Sequence, residues 1–236
     1  MNKDREGQAV DIQSLGLTKV FGSGPQSIEL FRDLDFVIRR GERVAIVGAS
    51  GVGKSTLLHI LGTLEKPTNG KVLYGGKDIF LSDERELARF RNRHIGFVFQ
   101  FHHLLPEFNA LENVMMPGLI AGLPKNEAAG QAVQMLDRLG LSARLRHRVG
   151  ELSGGEQQRV SVARALLLHP GIFLADEPSG NLDSRTGRVL HELLVRLNEE
   201  LGLTMIVVTH NQELASMMHR VLRLVNGQLR EDPVNV

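Results

Sequence analysis

The stretch Gly48-Ala49-Ser50-Gly51-Val52-Gly53-Lys54-Ser55-Thr56 fits the pattern G-x-x-x-x-G-K-[ST], a loop that cradles phosphate. Its glycines let the backbone curl until successive N–H groups face phosphate oxygens, and a helix starting at the loop's end adds its dipole. Lys54 would then bridge the β- and γ-phosphates of a nucleotide, and the Ser55 hydroxyl would ligate Mg²⁺. Farther along, an apolar run ends in Asp176-Glu177. Asp176, at a strand's end, can hold Mg²⁺ through water, and Glu177 can polarise an attacking water as general base. Alone, an acidic pair after a strand would read as a solvated loop. Behind a phosphate loop in the same chain, it reads as the second half of a nucleotide-hydrolysing site.

A third segment, Leu152-Ser153-Gly154-Gly155-Glu156-Gln157-Gln158-Arg159, sets an N-capping Ser153 before a helix running to Leu168. Gly154-Gly155 leave that helix's first N–H groups open. These residues resemble the signature of ATP-binding-cassette (ABC) ATPases, and the family's other motifs follow in order. Gln100 ends a strand at 95–99 where the family has its Q-loop. Ser179-Gly180-Asn181-Leu182-Asp183 matches the D-loop, and His210 follows a strand as the switch histidine does. The resemblance spans residues 12–231. It implies ATP and Mg²⁺ as ligands, and a homodimer that holds two ATP molecules head to tail. Ser153, Gly154 and Gly155 of one subunit would face the γ-phosphate held by Lys54 of the other. Residues 48–56, Gln100 and Asp183 would contact nucleotide, Ser55, Gln100 and Asp176 would serve the metal, and Glu177 and His210 would act in catalysis. Phe21 stands where the family stacks a Tyr under the adenine, Asn211 where an Asp commonly follows the histidine, and Ser179 where Thr is commoner.

To present these residues, strands must stop at them. Residues 43–47, 171–175 and 203–208 are continuous apolar runs, the pattern of strands buried on both faces of a parallel sheet. Each gives way to polar residues and then to a helical pattern, so the fold class is α/β, with the parallel-sheet core of a phosphate-loop protein. Residues 12–40 and 71–74 read as short strands and turns of a small antiparallel layer. Residues 101–165 read as a mostly helical insertion, with helix edges at Pro124 and at 137–140. No linker or composition shift divides the chain, so residues 1–236 are expected to form one nucleotide-binding domain.

Lys and Arg number 28 against 27 Asp and Glu, a net charge of +1, so no global field draws the chain to nucleic acid or to an anionic membrane. Cysteine is absent, which excludes disulfides, thiolate nucleophiles and thiolate metal sites. The charged start Met1-Asn2-Lys3-Asp4-Arg5-Glu6 leads into no stretch resembling a signal peptide. No apolar run reaches about 18 residues, so membrane contact is expected only through a partner. Arg144, Arg146, His147 and Arg148 read as a solvated face. Met115-Met116 and Met217-Met218 read as adaptable core or docking contacts. Adjacent histidines cannot easily share one metal from a helix, so His102-His103 read as a partner-facing surface.

Too few residues separate Lys54 from Ser153 for the coiled coil of chromosome-type relatives, and only one set of motifs occurs. With little sequence beyond Asn226-Gly227, a transporter subunit without a regulatory domain is expected. The segment Phe99-Gln100-Phe101-His102-His103-Leu104-Leu105-Pro106-Glu107-Phe108-Asn109-Ala110-Leu111-Glu112-Asn113-Val114 resembles the ATPases of lipoprotein-releasing ABC transporters. It lies where the family docks the coupling helix of its membrane subunit. That resemblance implies an ATPase that sits peripherally on the cytoplasmic face of the inner membrane, pairs with itself and binds two permease subunits. Its ATP hydrolysis would release outer-membrane lipoproteins. Residues 45–51 and 175–183 fit the same clan, but macrolide-type tripartite exporters and the cell-division ABC ATPase share them, so those alternatives stay open.

Overall fold

Two long strands begin the fold: β1 (Val10–Phe21) and β2 (Ile28–Arg39), each of 12 residues. They are longer than the short strands expected there. Register shifts break their antiparallel pairing between Ser14 and Leu17 and again beyond Leu17. Such bulges bend a strand without ending it and interrupt the alternation by which a strand is read. β4 (Asn69–Tyr74) pairs with β1, and the two-residue β5 (Lys77–Asp78) pairs with β4, giving a four-stranded antiparallel sheet in the order β2-β1-β4-β5. The computed structural model describes residues 10–22 and 24–232; the charged stretch Met1 to Glu6 lies outside them.

The second sheet carries the chemistry. β3 (Arg43–Val47), β6 (Ile95–Val98), β7 (Ile172–Asp176) and β8 (Thr204–Val208) are joined by β9 (Arg220–Val225) and β10 (Gln228–Asp232) in the order β10-β9-β3-β8-β7-β6. Every neighbouring pair is parallel except β10 with β9. The three apolar runs therefore lie side by side as the expected parallel core, with β8 between β3 and β7. β6 stops at Val98, so Gln100 lies in the loop beyond it.

Each face of this sheet has its own core. Ile12, Phe31 and Ile38 of the antiparallel sheet pack with Ile46, Leu174 and Ile206 on one face, where α1 (Lys54–Leu61) is also seated. On the other face lie α3 (Ala110–Ile120), α4 (Lys125–Arg138), α5 (Gly154–Leu166) and α6 (Ser184–Leu201), around Phe173, Met205 and Val207. The helical segment runs from Ala110 to Leu166, while residues 101–109 form a loop. α2 (Glu84–His94) and α7 (Gln212–Ser216) complete the set. Met115 and Met218 are core residues. Among the described residues, no helix is long and apolar enough to cross a membrane.

The helix that carries the signature is seated against the strand that leads to Gln100. A Cβ on Gly96, in β6, would lie 2.5 Å from the Ala165 carbonyl oxygen at the end of α5. Because both atoms are held by backbone, Gly96→Ala forces the two elements apart. It is expected to lower unfolding stability by about 1–3 kcal/mol, measured by urea denaturation. An unchanged midpoint would show that α5 tolerates displacement from β6.

Candidate active site

β3 ends at Val47, and the glycine loop then reverses into α1. Gly48 has φ 153° and Gly53 has φ 104°. A Cβ on Gly48 would lie 2.5 Å from the Leu224 carbonyl oxygen, so only glycine fits there. α1 has no side-chain cap at its N-terminus, where Gly53 holds the cap position. By contrast α2, α3, α5, α6 and α7 are capped by Asp83, Asn109, Ser153, Asp183 and Asn211. The first N–H groups of α1 thus point without a side-chain partner into a cleft of about 370 Å³, as anion binding requires. Lys54 reaches back, and its Nζ donates to the carbonyls of Gly48 (2.9 Å) and Ala49 (2.8 Å).

The cleft brings together Ser50, Gly51, Gly53, Lys54, Ser55, Thr56, Gln100, Asp176, Glu177 and His210, all expected there, together with Leu30 and Val208. Asp176 ends β7. Burial pushes its carboxyl up from the usual range, and a hydrogen bond from the Ser55 hydroxyl opposes that shift. A half-buried carboxylate facing a hydroxyl beside a phosphate loop is a donor set that fits Mg²⁺ bound mainly by nucleotide phosphates. Among the described residues, no three His, Cys, Asp or Glu side chains cluster as an all-protein metal cage.

Glu177 is held from every side. Its φ of 46° turns it away from β7, and its N–H donates to the Val208 carbonyl at 2.9 Å. Oε1 accepts the His210 N–H (2.9 Å) and faces His210 Nδ1 (2.7 Å), while Oε2 accepts from the Thr209 hydroxyl (3.1 Å). A carboxylate fixed in this way can orient a water and take its proton. Thr209 is fully buried and escapes sequence reasoning; its only signal is a polar residue just past the end of β8, next to His210. Asn211, the departure from the family's Asp, caps α7 by accepting the Leu214 N–H at 3.0 Å, a role its amide fills as a carboxylate would.

Other expected residues lie outside this cleft. The Phe21 ring is exposed at the end of β1, with Lys19 Nζ 4.7 Å from its centre. Asp183 accepts the Thr186 N–H at 3.0 Å as the cap of α6. Asn181 exchanges bonds with Gln100: its Nδ2 donates to the Gln100 carbonyl (3.0 Å), and Gln100 Nε2 donates to its Oδ1 (3.3 Å). Ser179 is buried and bonds His191 Nε2 at 2.8 Å. Ser153, Gly154 and Gly155 form the start of α5, which ends at Leu166 rather than Leu168. A Cβ on Gly155 would lie 2.5 Å from Thr186 Cγ2, so the signature and the D-loop meet at two helix starts.

Two surface readings are corrected. Arg144 is not merely solvated, since its Nε bonds Glu156 Oε1 at 2.6 Å. His102 is partly buried rather than a free surface residue, while His103 is exposed as a partner-facing residue would be. His102 bonds the buried Gln158, His103 packs edge-on against Phe99, and Arg164 donates to both histidine carbonyls. Burial pushes the His102 pKa down.

The grip on Glu177 yields a test. Thr209→Val removes the donor to Oε2, while Thr209→Ser keeps it. The valine variant is expected to hydrolyse nucleotide about tenfold more slowly at unchanged nucleotide affinity, with the serine variant near the parent. Equal turnover in all three would show that Thr209 does not position the base.

The comparisons with known proteins agree with this geometry. The family model described as ABC transporter matches residues 31–180. The lipoprotein-releasing system ATP-binding protein LolD of Geobacter metallireducens is 54% identical over 221 residues, covering 94% of this chain and 98% of that protein. The LolD of Syntrophus aciditrophicus is 54% identical over 218 residues, 92% of this chain and 98% of that one. Among solved structures, the ATP-binding cassette MJ0796 in a dimeric post-hydrolysis state bound to ADP and Pi superimposes with TM-score 0.87 at 39% identity, covering 95% of this chain and 99% of that one. CbiO1 of Clostridium perfringens, part of the ABC transporter complex cbiONQ, gives 0.84 at 27% identity over 94% and 88%. From the motif order, the site geometry and these matches, the chain belongs to the ABC transporter family.

Proposed function

We propose that the chain is the ATP-hydrolysing subunit of an ABC transporter that releases lipoproteins from the inner membrane. The observation that carries the chemistry is the convergence of the open N-terminus of α1, Lys54 and the tightly held Glu177 on one cleft. The phosphates of ATP would lie on the loop's N–H groups, with Lys54 leaving its own carbonyls for them. Glu177 would take the proton of a water whose oxygen attacks the γ-phosphorus in line, as the bond to the ADP oxygen breaks. His210 would keep the carboxylate aimed. Ser55 and Asp176, with Gln100 beside them, would hold Mg²⁺, which when bound neutralises charge on the phosphates. The cargo rests on the LolD relatives and on the resemblance of residues 99–114.

The same reading supplies partners. Ser153, Gly154, Gly155 and Asp183 lie outside the cleft of their own chain, which supports a homodimer in which they complete the cleft of the other copy. Phe21 is the ring that would stack on adenine. Two permease subunits would hold this pair peripherally at the cytoplasmic face of the inner membrane. Residues 101–114 would receive the coupling helix of the permease. Nearby, a cavity of about 330 Å³ opens between α2, α3 and α5, lined by Arg91, Asn92, Pro117, Ile120 and Arg164. The loop at 101–109 is tied down by Asn113, whose Nδ2 donates to the carbonyls of Leu105, Phe108 and Asn109.

Glu177→Gln is expected to keep ATP binding, lose hydrolysis by ~10²-fold or more and form an ATP-dependent dimer. In cells depleted of the wild-type chain and supplied with this variant, outer-membrane lipoproteins should accumulate in the inner membrane, read by fractionation. Normal sorting would refute the cargo. Drug sensitivity alone would move the reading to an exporter, and filamentation to the cell-division type.

A further inference from the structure

The signature carries a carboxylate, Glu156, at the third position of α5. Both of its oxygens are engaged. Oε2 accepts the Ser153 N–H (2.8 Å) and the Ser153 hydroxyl (2.9 Å), while the Glu156 N–H returns to Ser153 Oγ at 3.3 Å. This is a reciprocal capping box, but one in which the serine's proton points at Glu156. Oε1 takes a different partner, the Nε of Arg144, at 2.6 Å. Arg144 ends a short 3-10 turn in the connection between α4 and α5, so α5 itself does not supply this cation.

A γ-phosphate accepts hydrogen bonds and donates none at neutral pH, so Ser153 must give it the proton now directed at Glu156. A bare carboxylate beside Ser153 would oppose that in two ways: it would keep the proton and repel the phosphate. In the folded chain Glu156 is the charged form, its pKa held down to about 2 by the bond from Arg144 and the Ser153 N–H. We propose that Arg144 is a positioning residue for the signature: by pairing with Glu156 it offsets the charge beside Ser153, so that a second copy of this chain can bring its ATP against that hydroxyl. The proposal rests on the two-copy reading above.

The account is a statement about charge, so a charge-neutral partner substitution should make Arg144 dispensable. Glu156→Gln keeps an oxygen for the Ser153 N–H and carries no charge. In the Glu177→Gln background, dimerisation is followed by light scattering against ATP concentration, and ATP binding by the isolated chain is followed by calorimetry. Arg144→Ala should raise the ATP needed for half-dimerisation by ~10-fold or more, with single-chain ATP affinity within about twofold of the parent. Arg144→Lys should recover most of the loss. The double variant Arg144→Ala/Glu156→Gln should return to within about threefold of the parent. A double variant as impaired as Arg144→Ala would show that Arg144 only packs, and would overturn the proposal. So would an Arg144→Ala chain that dimerises at the parent's ATP concentration. A parent that never dimerises with ATP would sink the two-copy reading itself, and the proposal with it.

Discussion

The end of β8 holds both halves of the chemistry in place. The Val208 carbonyl accepts the Glu177 N–H at 2.9 Å, and the Thr209 N–H donates to the Ile46 carbonyl at 3.2 Å. One short piece of backbone therefore ties the proposed base, on the β7 side, to the strand that delivers the phosphate loop, on the β3 side. Because β8 is parallel to both neighbours and buried throughout, a slip of one residue would turn every side chain to the wrong face of the sheet. The sheet's register is thus also the register of the reaction.

The signature obeys a different constraint. Its helix is seated by close approach at both ends: Gly96 meets the Ala165 carbonyl at the far end, and Gly155 meets the Thr186 side chain at the start. Ser153 and Asp183 then cap neighbouring helices side by side, away from the cleft of their own chain. Asn181 spans from this cluster to Gln100, which does line the cleft. A polar thread therefore runs from the nucleotide cleft to the face expected to meet a second copy.

Much of the site was legible because its chemistry is local in sequence. The glycines before Lys54, the carboxylates after β7 and the Ser-Gly-Gly start of α5 each declare their backbone needs within a few residues. What escaped depends on contacts across the chain. Arg144 and Glu156 pair across a connection that no periodicity marks. Thr209 matters only because β7 brings Glu177 beside it. α2 carries a single buried side chain, Leu87, so apolar patterning does not reveal it, although Asp83 and Glu86 form a capping box that could have. The bulges of β1 hid its length, and the exposed alternation of β10 offered no buried run to read.

The central claim is that each chain carries two half-sites, a phosphate loop for its own ATP and a signature for its partner's. The most direct test is a calorimetric ATP titration of Ser153→Arg as an isolated chain. The account predicts the wild-type affinity and a single bound nucleotide, because Ser153 lies outside the chain's own cleft, while ATP-dependent pairing is lost. Abolished binding by the isolated chain would contradict it, since the signature would then belong to the cleft beside it.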